Sequence, residues 1–344
     1  MISGKWRNDD KLKVLVTGCA GYLGTTLCKQ LVSEGHEVTG LDALLYGKKS
    51  LTSLMKNSHF KFAKGDIRDL NCLTRFIHDA DTVVHLASIV GAEASKLSAE
   101  NAVIINSIST ANIAQICKIY NVKQLVFAST ASVYGGYGRL NDGFADERTE
   151  LRPIEIYGET KVNSERAIRE SFDDFTILRF GTLFGMSDRM RFDLVVNLFT
   201  ARACSGEALI VYGGKQQRPL LHVGDAARAI SFVLSKEITG TYNVAYDNYV
   251  ISEIARRVKK IIPCTISEDE SVTDPRDYRV SYEKIRKVGF NAKYSLDYGI
   301  KEIKRAFDTG IIKNYRDPVY SNHAKLFTDK RTQAKVYTQG AIPK

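Results

Sequence analysis

The sequence predicts an α/β chain built on a doubly wound parallel sheet, with a smaller mixed α/β lobe towards the C-terminus. Three observations carry that prediction. Short β-branched runs alternate with helical stretches through the first half of the chain. The first run leads straight into Gly18-Cys19-Ala20-Gly21-Tyr22-Leu23-Gly24, and the regular alternation breaks after Gly185.

The elements follow in order. Leu12–Thr17 reads as the first strand and Tyr22–Ser33 as the helix after it. Further strands are expected at Glu37–Leu41, Phe60–Ala63, Thr82–Leu86, Gln124–Ser129 and Phe175–Phe180. Past Gly185, Arg191–Ser205 reads as a helix and Glu207–Val211 as a strand, and the chain revisits the first sheet through Leu220–Leu234 and Thr241–Val244. The expected division is 1–184 with 215–245 as a dinucleotide-binding domain, 185–214 with 246–320 as a substrate-binding lobe, and 321–344 as a basic tail. Beyond Lys313 no period is visible, which reads as extended chain.

Composition bounds the function. The 344 residues are 44% hydrophobic and 26% charged, an ordinary globular balance that excludes collagen, coiled coil and wholesale disorder. Net charge is +10, but Ile311–Lys344 alone holds seven Lys or Arg against two Asp, which weakens a global nucleic-acid reading. The six cysteines form no Cys-x-x-Cys pair, so no metal site and no redox motif is expected. Met1–Lys11 is polar, and no run approaches the roughly 18 apolar residues of a membrane span. A cytoplasmic protein with reduced thiols and no membrane partner is the expectation.

Two constellations carry chemistry. Glycines directly after the first strand permit a tight turn and close approach of a pyrophosphate to backbone amides at a helix N-terminus, the Rossmann arrangement. Asp42, ending the second strand, would accept hydrogen bonds from an adenosine ribose and repel a 2′-phosphate, favouring NAD, while Lys48 and Lys49 leave NADP open. Farther on, Tyr157-Gly158-Glu159-Thr160-Lys161 places Tyr and Lys at i and i+4 on one helical face. A Lys ammonium beside the phenol would lower its pKa towards working pH. Phe127–Gly135 delivers Thr130 and Ser132 at a strand end, where a doubly wound sheet binds its ligand.

In that order, with Gly65–Asp69, His85–Ser88, Asn106 and Leu178-Arg179-Phe180 between and after them, these motifs resemble the extended short-chain dehydrogenase/reductase family, in its NAD-dependent nucleotide-sugar epimerase/dehydratase branch, over nearly the whole chain. The resemblance implies Thr130, Tyr157 and Lys161 as catalytic residues. It implies a cofactor site of Gly18, Gly21, Tyr22, Leu23, Gly24, Asp42, Asp66, Ile67, Leu86, Ala87, Ser88 and Asn106, with Tyr157 and Lys161 shared. Thr130, Ser132, Thr182, Arg218, Arg276 and Asp277 are implied to meet a nucleotide-diphosphate sugar, the arginines holding its diphosphate. His85 and Tyr134 are the alternative bases. The resemblance also implies a homodimer through a four-helix bundle, for which Ile104, Ile105, Ile108, Ile113 and Ile116 offer apolar surface.

Departures narrow the chemistry. Dehydratases of this branch carry Asp-Glu after the catalytic Thr and decarboxylases a Glu at the position of Ser132, whereas this chain has Ala131 and Ser132. Many epimerases have Asn where Thr182 stands. An NAD-dependent 4-epimerase is the leading expectation, a 4-dehydrogenase or 4-ketoreductase on the same site the alternative, and a noncatalytic RNA-binding descendant of the fold a second.

Overall fold

A computed structural model describes residues 11–137, 143–271 and 274–328. Seven strands form one parallel sheet: β1 (Lys13–Thr17), β2 (Glu37–Asp42), β3 (Phe60–Lys64), β4 (Thr82–His85), β5 (Gln124–Thr130), β6 (Phe175–Phe180) and β10 (Gly240–Val244). Their order across the sheet is β10-β6-β5-β4-β1-β2-β3. The chain steps outward from β1 to β3 and then returns to the other side of β1, with Thr17 in register with His85. That reversal opens a crevice at the C-terminal ends of β1 and β4, where a doubly wound sheet takes its ligand. Val14, Leu15, Val16, Val83, Val84, Leu125 and Val126 are all buried, as expected of strands covered on both faces.

Helix α1 (Tyr22–Ser33) buries Leu27, Cys28 and Leu31 on one face of the sheet. The opposite face carries α2 (Leu70–His78), α3 (Ala92–Leu97), the long α4 (Ala99–Ile119) and α5 (Ile156–Ser171). By length and composition α4 is apolar enough to cross a bilayer, although no unbroken apolar run in the sequence signals it. Its Asn101, Asn106, Ser109 and Thr110 are nevertheless buried inside the protein. Over Val103–Ile108 it widens into π-type turns, a local distortion that recurs at functional sites.

The C-terminal half builds two smaller sheets. β7 (Thr182–Phe184), β9 (Gln217–His222) and β11 (Asp247–Val250) form one, and β8 (Leu209–Tyr212) with β12 (Ile266–Asp269) the other. Helices α6 (Val195–Cys204), α8 (Ile251–Ile261) and α10 (Leu296–Asp308) enclose a core around Phe184, Phe199, Leu209 and Ile254. α7 (Val223–Ser235) packs on α1, and α9 (Glu283–Lys287) sits beside β10.

Two expectations change. Helix α6 starts at Val195 and not at Arg191. Arg191 forms an ion pair with Asp193, and the Phe192 amide bonds the Tyr320 carbonyl, so this stretch stays bent and non-helical. Beyond Lys313 the chain is not extended throughout. A short turn at Pro318–Tyr320 leads into α11 (Asn322–Thr328), which packs on α3. Asn322 fixes the join, its side chain donating to the Val90 carbonyl and its amide to Asp193. The charged N-terminus and the basic stretch after Thr328 lie outside the described residues.

Candidate active site

The glycine loop leaves no room for side chains. Gly18 has φ +76°, and a Cβ there would lie 2.7 Å from the Ala87 amide nitrogen. A Cβ on Gly24 would strike the Gly18 carbonyl. Gly21 caps α1 without a side-chain bond, so the first amides of that helix face the crevice. Asp42 ends β2 with both oxygens engaged, accepting the Ala20 amide at 3.0 Å and the Leu44 amide at 2.7 Å. Burial raises its carboxyl, and those two amides with Arg189 pull it back down.

Across the crevice, the Leu86 and Ala87 amides turn towards Thr17 Oγ1 at 3.3 Å. Asn106, from the widened part of α4, ties three elements together. It accepts Ser88 Oγ and the Ile89 amide at 2.8 Å, and donates to the Ile89 carbonyl and Thr160 Oγ1 at 3.0 Å. Its side chain therefore positions the loop after β4 against α5. Asp66 is paired with Arg68 at 2.8 Å, and Ile67 is buried beside it.

Thr130 ends β5 and its hydroxyl accepts the Ser132 amide at 3.1 Å, turning the chain sharply below the first turn of α5. Tyr157 and Lys161 project from that helix, 9% and 3% exposed. Lys161 Nζ donates to the Ala128 carbonyl at 2.9 Å and lies 5.9 Å from the Tyr157 ring centre. Burial pushes the Tyr157 phenol well above its ordinary range, while Arg191 and a hydrogen bond with Thr130 pull it down. Burial drives Lys161 itself down to about 7, and Arg191 adds a positive charge that favours the phenolate.

On the far side, Ser132 Oγ meets Tyr278 Oη at 3.2 Å. Arg218 and Arg276 converge on Asp274, at 2.9 and 2.7 Å, and Asp277 accepts the Gln217 amide at 2.9 Å. Thr182 opens β7 opposite Leu220, half-buried. Glu155, just before Tyr157, has its carboxyl raised by burial and faces Arg276 at 3.9 Å.

The alternative bases are structural. His85 is clasped by Thr17 and Thr110, at 2.7 and 2.9 Å, and burial drives it down to about 3. Tyr134 Oη donates to Asn243 and accepts from Arg179 inside the core. Sequence reasoning overlooked Arg189, Arg191, Tyr46, Glu155 and Tyr278. Among these only the Arg189-Met190-Arg191-Phe192-Asp193 alternation of charge offered a local signal.

Residues 14–245 match the family described as NAD-dependent epimerase/dehydratase. The uncharacterized UDP-glucose epimerase YtcB of Bacillus subtilis is 30% identical over 238 residues, 65% of this chain and 73% of that protein. Decarboxylases and dehydratases of nucleotide sugars are also relatives. Among solved structures, the UDP-glucuronic acid 4-epimerase of Bacillus cereus with UDP-glucuronic acid and NAD superposes with TM-score 0.77 at 26% identity, over 86% of this chain and 99% of that one. The UDP-glucose 4-epimerase of Thermus thermophilus with NAD gives 0.74 at 25%, over the same shares. A glycine cradle that only hydrogen-sized side chains fit, an acid at the end of β2 and the match over residues 14–245 agree: the chain belongs to the NAD-dependent epimerase/dehydratase family and takes NAD as its cofactor.

Proposed function

We propose that the protein is a nucleotide-sugar 4-epimerase. The observation that carries this reading is the pairing of Thr130 and Tyr157 over Lys161 with no carboxylate in the turn after Thr130, where Ala131 is buried and Ser132 bonds Tyr278. Elimination and decarboxylation would call for an acid in that turn.

Gly18, Gly21, Gly24, Asp42 and Leu86–Ser88 would hold NAD, which when bound supplies the acceptor and donor of hydride at the sugar C4. Tyr157 takes the proton of the C4 hydroxyl and returns it, and Thr130 steadies that oxygen by a hydrogen bond. Arg191 favours the phenolate. Lys161, anchored on the Ala128 carbonyl one turn beyond Tyr157, would hold the cofactor's nicotinamide ribose. Arg218 and Arg276 bind the substrate diphosphate, with Asp274 holding their guanidinium forks in place. The sugar can then turn over while its diphosphate stays anchored. In this reading 1–184 and 215–245 hold the cofactor, 185–214 and 246–320 hold the substrate, and two subunits pair through α4 and α5.

UDP-hexoses come first for testing, because the structural neighbours bind UDP-glucuronic acid and UDP-glucose. The purified protein, loaded with NAD, is incubated with UDP-, GDP-, CDP- and dTDP-sugars, and products are resolved by proton NMR. A C4 isomer at equilibrium supports the proposal. Accumulation of a 4-keto or dehydrated sugar from every substrate turned over would replace it.

A further inference from the structure

Resting on the nucleotide-sugar reading above, we infer that Glu155, standing between the phenol of Tyr157 and the arginines assigned to the diphosphate, selects an uncharged sugar and rejects a uronic acid.

Glu155 opens helix α5, its carbonyl accepting the Glu159 amide at 3.0 Å. Its side chain does not turn back to cap the first amides of the helix. The carboxylate instead faces Arg276 Nη1 at 3.9 Å, and the side chain is only 16% exposed. That separation is too long for a hydrogen bond, and among the described residues no donor reaches either oxygen. The charge of Glu155 also acts on the Tyr157 phenol two residues on. A sugar whose C4 hydroxyl meets Tyr157 while its diphosphate meets Arg218 and Arg276 therefore passes this carboxylate.

Burial raises the Glu155 carboxyl, Arg276 and Arg218 oppose the rise, and Asp274 and Glu93 add to it. A buried carboxylate without donors is costly, and the hydroxyls of an uncharged sugar are donors that complete it. A sugar carboxylate offers none and brings a second negative charge into the same pocket. The cations along this path are already engaged. Arg276 binds Asp274 bidentately at 2.9 and 2.7 Å, and Arg218 binds it at 2.9 Å. Arg191 is held by Asp193 at 3.0 and 2.9 Å, and Lys161 donates to the Ala128 carbonyl. Discrimination thus combines repulsion of the wrong sugar with hydrogen bonds to the right one.

The NAD-loaded protein, as wild type, Glu155→Gln and Glu155→Ala, is titrated by calorimetry with UDP, UDP-glucose and UDP-glucuronic acid, and with GDP, GDP-mannose and GDP-mannuronic acid. In the series whose nucleoside diphosphate binds, wild type should hold the uncharged sugar about tenfold more tightly than the uronic acid. Glu155→Gln should bring the two within about threefold, chiefly by strengthening uronic acid binding, with nucleoside diphosphate affinity little changed. Glu155→Ala should also relieve the repulsion, while weakening the uncharged sugar by the hydrogen bond it loses. Equal affinity for both sugars in wild type overturns the inference, as does a preference that survives in Glu155→Gln. An equal gain for the diphosphate and both sugars overturns it too, because the charge then acts on the diphosphate, and failure of both variants to fold makes Glu155 structural. Discrimination without any C4 isomer by proton NMR upholds the inference and removes the epimerase reading, whereas binding of none of the six compounds overturns both.

Discussion

Tyr157 is the residue on which the proposed chemistry turns, and its environment decides what substitution does. Its ring packs against its neighbours while only the hydroxyl reaches Thr130, so Tyr157→Phe keeps the shape and removes the proton route. Turnover should fall by about 10²–10⁴, the range general acid/base groups supply, with NAD affinity and melting temperature unchanged. Near-normal turnover on a verified substrate would remove Tyr157 from the mechanism. Lys161 makes a second prediction, through stability. An unfolded lysine keeps its proton to about 10.5, and burial lets this one lose it near 7. Between those values the unfolded chain binds the extra proton, so ligand-free stability rises with pH across that window and levels off below 7. Lys161→Met should abolish this slope, read as melting temperature against pH from 6 to 10; a slope identical to wild type would refute it. The Tyr157 and Lys161 positions were legible because a helix brings i and i+4 to one face. The depression of Lys161 was not, because burial is invisible in a spacing, and Arg191 carried only the alternation over Arg189–Asp193 as a local mark.

At the scale of the element, helix α5 aims Tyr157 and Lys161, and a buried ion pair one turn farther on fixes its tilt. Glu165 accepts Arg179 Nη2 at 2.7 Å and Ser129 Oγ at 2.6 Å, tying the helix to β5 and β6. Both charged groups are almost fully buried. Removing Arg179 leaves the buried Glu165 with only the partly exposed Arg169, 2.9 Å away, as its cation, so Arg179→Met should cost about 3–5 kcal/mol of unfolding free energy. Urea denaturation checks this, and a change below about 1 kcal/mol would show the pair to be dispensable. The carboxyl of Glu165 is held below its ordinary value by Arg179 despite burial. Its contribution is therefore complete above the unfolded value and lost as pH falls through the depressed one, and Arg179→Met should flatten that acid limb. The strands around this pair were readable because sheets covered on both faces leave continuous apolar runs. Helix α6 was misplaced at its start because Arg191 and Asp193 satisfy each other in a bent, non-helical stretch, a tertiary preference that outweighs local propensity.

At the scale of the whole molecule, the question is which apolar surface a second subunit would cover. The sequence offered five isoleucines on α4, but the fold consumes most of them: Ile105, Ile113 and Ile116 are buried in the chain's own core. Ile108 remains 51% exposed and Val103 42% exposed, with Ile104 half-buried between them. These side chains flank the turn of α4 whose Ser107 bonds the Thr160 carbonyl of α5, so the apolar patch lies beside the helix that carries Tyr157. A homodimer joined through α4 and α5 would bury that patch against its own copy, as a two-fold axis requires. Wild type is then expected to scatter light as a dimer at micromolar concentration. Ile108→Glu should convert it to a folded monomer with an unchanged far-ultraviolet dichroism spectrum, since the substitution places a charge on a surface already exposed in one chain. Ile113→Ala should act in the opposite way, leaving the interface intact and lowering stability by about 2–5 kcal/mol through the cavity it opens. A wild-type monomer at that concentration, or an Ile108→Glu variant that stays dimeric, would move the interface away from α4.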